Sequence, residues 1–249
     1  MTWFSMPLPW LDADQVGFPP IDQALSEPDG LLAAGGALNA DWLMCAYRQG
    51  IFPWYEAGQP ILWWSPDPRL VLFPDQLKIS RSLRKLLKKH GYVVSFDQHF
   101  AEVVLQCAVS REGATGTWIT TEMQIAYRQM FELGLAHSVE IHAAGKLVGG
   151  LYGVALGKVF FGESMFSSEP NTSKLALVYL VRQLNALGFE LIDCQVSSEH
   201  LASLGATEIS RAKFLSRLDR LVVENAPSAR WQLDPELVLI DHEVEFQGN

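Results

Sequence analysis

The chain predicts an α+β protein in which helices pack on a mostly antiparallel sheet, preceded by a small loop-rich N-terminal lobe. Three observations carry that prediction. Three apolar runs, Ala136 to Ala143, Leu147 to Ala155 and Val159 to Phe166, are separated only by the turns Ala144-Gly145 and Gly157-Lys158, which implies an antiparallel meander. A helix and one more strand follow directly, an order that sets helices against a single sheet. Before about residue 70 the chain is instead crowded with Pro, Gly and Trp, so residues 1–70 read as one lobe and residues 71–249 as the larger domain. A chain of 249 residues, 49% hydrophobic and 19% charged, can bury such a core.

Taken in order, the lobe holds one good helix, Ala40 to Gln49, with Asn39 as N-cap and Gly50 as its stop. Five aromatics fall between Phe52 and Trp64. Most are expected to form the lobe's core, the rest a surface on which a base can stack. Ser80 caps a helix that runs towards Gly91, with Arg81, Arg84, Lys85 and Lys88 on one face and Leu83, Leu86 and Leu87 behind. Tyr92 to Phe96 is a strand; Asp97 caps a helix from Gln98 to about Val109; a polar link runs from Ser110 to Thr117. Thr121 with Gln124 makes a capping box for a helix that ends near Leu133. After the meander, Asn171 to Ser173 cap a helix that reaches Ala186, and Phe189 to Val196 returns as a strand. His200 to Leu204 and Arg211 to Leu221 are further helices, and Val222 to Asn249 is an irregular strand or acidic tail.

Composition removes several function classes. No run of 18 apolar residues is present, so a spanning helix is not expected, and Met1 to Trp10 lacks the basic start and apolar run of a secretory signal. Three cysteines, Cys45, Cys107 and Cys194, show no paired spacing, which fits reduced thiols and argues against structural zinc. A net charge of −9 argues against wholesale nucleic-acid binding. Residues 78–89 reverse it locally, holding six of the 19 basic residues and no acid, so that face suits an anionic partner. Within the apolar strand Val159–Ser167 stands Glu163, and within Leu191–Val196 stand Asp193 and Gln195. Carboxylates are seldom buried without a partner, so two acids and an amide on strands flanking one helix point to a site. No Gly-x-Ser-x-Gly elbow and no marked Cys–His pair accompany them.

The meander–helix–strand order resembles the acetyltransferase-like (GNAT) fold. In that fold a Gly-rich turn before the central helix holds coenzyme A. Here the turn Ser167 to Ser173 has no glycine, carries Glu169 and includes Pro170 without an N–H, which argues against coenzyme A. Beyond the fold, five motifs resemble those of the bacterial leucyl/phenylalanyl-tRNA–protein transferases, in the same order and over roughly residues 15–220. They are Gly50-Ile51-Phe52-Pro53-Trp54, Trp63-Trp64-Ser65-Pro66-Asp67-Pro68-Arg69, Gly116-Thr117-Trp118-Ile119-Thr120, Gly162-Glu163-Ser164-Met165-Phe166-Ser167 and Ile192-Asp193-Cys194-Gln195-Val196.

The resemblance implies a cytoplasmic enzyme, without metal or cofactor, that moves Leu, Phe or, less readily, Met from aminoacyl-tRNA to proteins beginning with Arg or Lys. The product enters the N-degron route of degradation. No membrane partner is implied, and a monomer is expected. It also implies that Asp193 and Gln195 are catalytic. On alternate strand positions they would face one side, Asp193 holding the Gln195 amide and Gln195 aligning the attacking amine. Glu163 would meet the acceptor's cationic N-terminus. Leu151, Phe160, Leu180, Leu184 and Ile192 would line the pocket for the donor side chain, and Tyr47, Trp54, Trp118 and Tyr127 would surround the terminal adenosine. Arg81, Arg84, Lys85 and Lys88 would hold tRNA phosphates. On this reading Asp193→Asn leaves folding intact. Two rivals stay open: a different tRNA-dependent ligase, acting on cell-wall peptide precursors, and a non-catalytic RNA-binding module, which would not need the acids.

Overall fold

The computed structural model describes residues 8–88, 91–112, 118–223, 230–234 and 237. In the lobe, β1 (Trp10–Leu11), β2 (Leu31–Gly35), β3 (Phe52–Pro53) and β4 (Leu62–Trp64) form a four-stranded sheet in the order β1-β2-β4-β3. Helix α1 (Ala40–Arg48) crosses between its strands; the Asn39 side chain accepts the Trp42 N–H, and Gly50 leaves it at φ +71°. Trp42 and Trp63 stack at 5.8 Å with Phe18 edge-on to both. Of the aromatics from Phe52 to Trp64, Phe52, Tyr55 and Trp63 are buried in the core, while Trp64 is part-exposed and Trp54 is exposed.

A seven-stranded sheet follows. Its strands are β5 (Arg69–Leu72), β6 (Tyr92–Phe96), β7 (Ala136–Ala143), β8 (Lys146–Leu156), β9 (Val159–Ser167), β10 (Leu191–Gln195) and β11 (Thr207–Ile209), in the order β11-β5-β10-β9-β8-β7-β6. The meander β7-β8-β9 is antiparallel throughout, and only β10 pairs in parallel, with β9. The expected meander–helix–strand order is therefore present, with α5 (Thr172–Ala186) as the linking helix. The other helices are α2 (Arg81–Leu87), α3 (Phe100–Glu112), α4 (Thr121–Glu132), α6 (Glu199–Ala202) and α7 (Arg211–Leu221). Against one face of the sheet pack α1, α3, α4 and α7, around Phe161, Tyr127 and Phe214. Against the other pack α5 and α2. Leu83, 1% exposed, seats α2, and burying such a side chain stabilises by roughly 1.5–3 kcal/mol.

Some local expectations need correction. Thr120, not Thr121, caps α4, because its hydroxyl accepts the Met123 N–H at 3.3 Å. Asp97 caps nothing: it sits at φ +56° and spends its carboxylate on the backbone N–H groups of Ser138 and Trp231 and on His137 Nδ1. Helix α3 accordingly starts later, at Phe100, and runs to Glu112, into the expected polar link. Asn171 stands at the N-cap of α5 but makes no side-chain cap bond. The rest of the link, with Gly116 and Thr117, lies outside the described residues, as do residues 1–7, Lys89, His90 and most of the acidic tail. From that tail, Trp231 is 6% exposed and stacks on His137 at 3.9 Å.

Candidate active site

Strands β9 and β10 pair only from Val159↔Leu191 to Phe161↔Asp193. Past that point β9 continues to Ser167 without β10, and a cavity of about 360 Å³ opens beside the parting. At the same level β10 bulges against β5: Asp193 opposes Val71, Gln195 opposes Leu70, and Cys194 is the extra residue. Gln195 takes φ +65°, a left-handed conformation costing a non-glycine residue on the order of 1–3 kcal/mol. The alternation expected to turn Asp193 and Gln195 to one side does not hold across this bulge, and the two side chains acquire different partners.

Asp193 is paired with Arg69, a residue the sequence reading did not single out. Arg69 Nε and Nη2 donate to the two carboxylate oxygens at 2.8 and 2.7 Å, with both side chains 0% exposed. The guanidinium is clamped between Phe52 and Phe214, 4.7 Å from each ring centroid. Asp193 Oδ1 also accepts the Gln195 backbone N–H at 3.0 Å, which fixes the bulge. Asp193 therefore holds the Gln195 main chain, not its side-chain amide. Removing its charge would strand a buried guanidinium, so the expectation that Asp193→Asn leaves folding intact is also withdrawn.

The Gln195 side chain turns to Glu163 instead, its Nε2 donating to Oε1 at 3.0 Å. Tyr47 donates to the same oxygen at 2.8 Å, and Tyr127 to Oε2 at 2.5 Å. Glu163 is 7% exposed. Burial raises its pKa to about 7, with Asp193 adding to the rise, while the bonds from Tyr127, Tyr47 and Gln195 offset part of it. Burial, followed by the charge of Glu163, raises both tyrosines well above their ordinary value, so they remain protonated donors. An ionised carboxylate only accepts, so the Gln195 NH₂ must face it. The Gln195 carbonyl oxygen then has no hydrogen-bond partner among the described residues. Burial also pushes the Cys194 thiol up, which makes it a poor nucleophile. Among the described residues no group of three His, Cys, Asp or Glu is placed to hold a metal ion.

Of the expected apolar wall, Leu151, Phe160, Leu180 and Ile192 line the cavity, and Leu177 and Leu201 join them. Glycine at 153 makes room, since a Cβ there would stand 2.6 Å from the Phe160 ring. Leu184 does not line the cavity and is buried in the core behind it. Trp54, 43% exposed, and the part-exposed Trp118 stand at the mouth. Tyr47 and Tyr127, expected around an adenosine, are instead 0% exposed with their hydroxyls on Glu163, which leaves no ring face for a base. Arg81, Arg84, Lys85 and Lys88 are exposed on α2 and do not line the cavity.

Comparison with known proteins agrees with these motifs. A family model described as leucyl/phenylalanyl-tRNA protein transferase matches residues 71–219, and that for the N-terminal domain of the same transferase matches residues 36–67. The chain is 57% identical over 224 residues to the leucyl/phenylalanyl-tRNA–protein transferase of Azoarcus sp., covering 90% of this chain and 95% of that one. To the same-named protein of Chromohalobacter salexigens it is 57% identical over 228 residues, covering 92% and 89%. Among solved structures it is similar to a GCN5-related N-acetyltransferase from Kribbella flavida, with a TM-score of 0.37 and 15% identity over 67% of this chain and 60% of that one. With more than half its length matched by the family model and such identity to these relatives, the chain belongs to the leucyl/phenylalanyl-tRNA–protein transferase family.

Proposed function

We propose that this aminoacyltransferase moves Leu, Phe and, less readily, Met from aminoacyl-tRNA to the α-amine of proteins that begin with Arg or Lys. The products would enter the N-degron route of degradation. The observation that carries the reading is the buried Glu163, ionising near neutral pH, bonded to Gln195 where β9 and β10 part. An aminoacyl ester is already activated, so aminolysis needs alignment, loss of the amine's proton and stabilisation of the oxyanion, not a protein nucleophile. The Gln195 carbonyl oxygen accepts from the incoming amine, and Glu163 draws the cationic N-terminus and takes up its proton. Asp193 acts through Arg69 and the Gln195 backbone, as a positioning residue.

The donor side chain fits the apolar wall of Leu151, Phe160, Leu180 and Ile192, which meets a Cβ-branched side chain badly. Such a methyl-sized distinction yields only about 1–3 kcal/mol. The terminal adenosine stacks against Trp54 and Trp118 at the mouth, so the lobe of residues 1–70 and the domain of residues 71–249 each supply one wall. Arg81, Arg84, Lys85 and Lys88 meet tRNA phosphates without reading sequence. The enzyme works as a monomer in the cytoplasm, and no helix among the described residues is long and apolar enough to cross a membrane.

The test is to offer labelled Leu-, Phe-, Met- and Val-tRNA with acceptor proteins that begin with Arg, Lys or Gly. Label on the Arg and Lys acceptors from the first three donors is expected. Transfer from Val-tRNA at the same rate, or to the Gly acceptor, would overturn the reading. Transfer to a cell-wall peptide precursor alone would favour the other class of tRNA-dependent ligase.

A further inference from the structure

The β8–β9 ladder carries a second bulge, and it falls at the site. Tyr152 pairs with Ser164 and Gly153 pairs with Gly162, so Glu163 is the extra residue in β9. A bulge of this kind interrupts strict alternation and brings two consecutive side chains towards one face. Both Glu163 and Ser164 line the cavity. Ser164 is 8% exposed, and its Oγ is buried without a hydrogen-bond partner among the described residues. A buried hydroxyl left unpaired is destabilising. No group among the described residues offsets that cost, whereas a ligand in the cavity can.

The other donors beside the carboxylate are already committed. Tyr47, Tyr127 and the Gln195 amide all donate to Glu163. Arg69 donates to Asp193 through Nε and Nη2, and although its buried Nη1 has no partner among the described residues, Arg69 does not line the cavity. What these leave to the substrates are acceptors: the Glu163 carboxylate and the Gln195 carbonyl oxygen. Acceptors suit the amine groups of donor and acceptor. They do nothing for the ester carbonyl oxygen, which gains negative charge and needs a donor.

We propose that Ser164 is a catalytic residue whose hydroxyl donates a hydrogen bond to the carbonyl oxygen of the aminoacyl ester as it becomes an oxyanion. The inference rests on the transfer reaction proposed above. The acceptor amine forms a C–N bond to the carbonyl carbon, and the π pair moves onto the oxygen facing Ser164. Its proton passes towards Glu163. The pair then returns, the C–O bond to the ribose breaks, and the ribose oxygen leaves with the proton that Glu163 took from the amine, which restores the carboxylate. Ser164 keeps its own proton throughout. Rotation about χ1 between staggered positions turns the hydroxyl to the cavity without moving the backbone.

The experiment measures kcat and KM for a short aminoacyl-adenosine donor, together with the thermal midpoint, in wild type, Ser164→Ala and Ser164→Cys. Loss of one oxyanion donor lowers kcat by about 10²-fold. Ser164→Ala should do that, with KM within about twofold and a thermal midpoint equal to or above wild type, because an unpaired hydroxyl has been removed. Ser164→Cys keeps nearly the same shape with a weaker donor, and its kcat should lie close to that of Ser164→Ala. An unchanged kcat, a loss confined to KM, or a fall in thermal midpoint matched by loss of active protein in both variants would each overturn the assignment. A wild type that transfers nothing would instead refute the proposed reaction.

Discussion

Replacing Glu163 by Gln keeps the size and one oxygen that accepts from Tyr47 and Gln195, turns an NH₂ towards Tyr127, and removes the charge. With a pKa of about 7, Glu163 is ionised to about 3% at pH 5.5 and about 90% at pH 8, a rise of roughly thirtyfold. The acceptor's α-amine also titrates near pH 7.7–8.0, in both proteins alike, so it cancels in the ratio of their rates. The assay is transfer of labelled Leu to an Arg-starting protein, with initial rates corrected for spontaneous ester hydrolysis. The ratio of wild type to Glu163→Gln should climb about thirtyfold from pH 5.5 to 8, with its midpoint near 7. A flat ratio, or one already complete by pH 5.5, would refute the argument that burial holds this carboxyl up for use as a base. Stability supplies an independent check. The folded pKa lies above the unfolded value, so the contribution is fully present below about pH 4.5 and is lost as pH rises to about 7. The loss, on the order of 3 kcal/mol across the window, should be absent from Glu163→Gln in urea unfolding at pH 4.5 and 8.

Asp193→Asn should destabilise the fold by roughly 3–5 kcal/mol in urea, because it strands the buried Arg69, and Arg69→Met with Asp193→Leu should recover most of that. Changing Arg84 and Lys85 to Glu should weaken aminoacyl-tRNA binding and flatten its salt dependence while leaving transfer from aminoacyl-adenosine untouched; equal loss with both donors would remove α2 from tRNA contact. Phe160→Ala should enlarge the cavity and shift preference from Leu towards bulkier donors, and an unchanged ranking of Leu, Phe and Met would place Phe160 outside the specificity wall.

The parts of the fold legible in the sequence were those governed by neighbours along the chain. The meander followed from turns at Ala144-Gly145 and Gly157-Lys158, and α1 from Asn39 and Gly50. Glu163, Asp193 and Gln195 stood out because charged and amide groups interrupt apolar strands. Their partners were not legible. Arg69 lies 124 residues from Asp193, and Tyr47 lies 116 from Glu163, and no local pattern reports such pairings. One signal was available: Arg69 opens the apolar run Leu70-Val71-Leu72, and a buried cation there needs a buried anion elsewhere. The bulges were hidden for a similar reason. Register belongs to two strands at once, so the alternation assumed for Asp193 and Gln195 had no way to register β5. An Asp before a helix is the usual cap, but the carboxylate of Asp97 is claimed by Ser138, His137 and Trp231, partners that no local pattern shows.

The central claim is that Glu163 and Gln195, 3.0 Å apart, act as one unit on the incoming amine. Single-turnover transfer of Leu from Leu-tRNA to an Arg-starting protein at pH 8 tests it most directly, in Glu163→Gln, Gln195→Ala and the double variant. Each single change should slow transfer by about 10²-fold, and the double should be within a few-fold of the slower single, since groups that act together lose their effect together. Near-normal transfer by Gln195→Ala, or losses that multiply to about 10⁴-fold in the double variant, would contradict it.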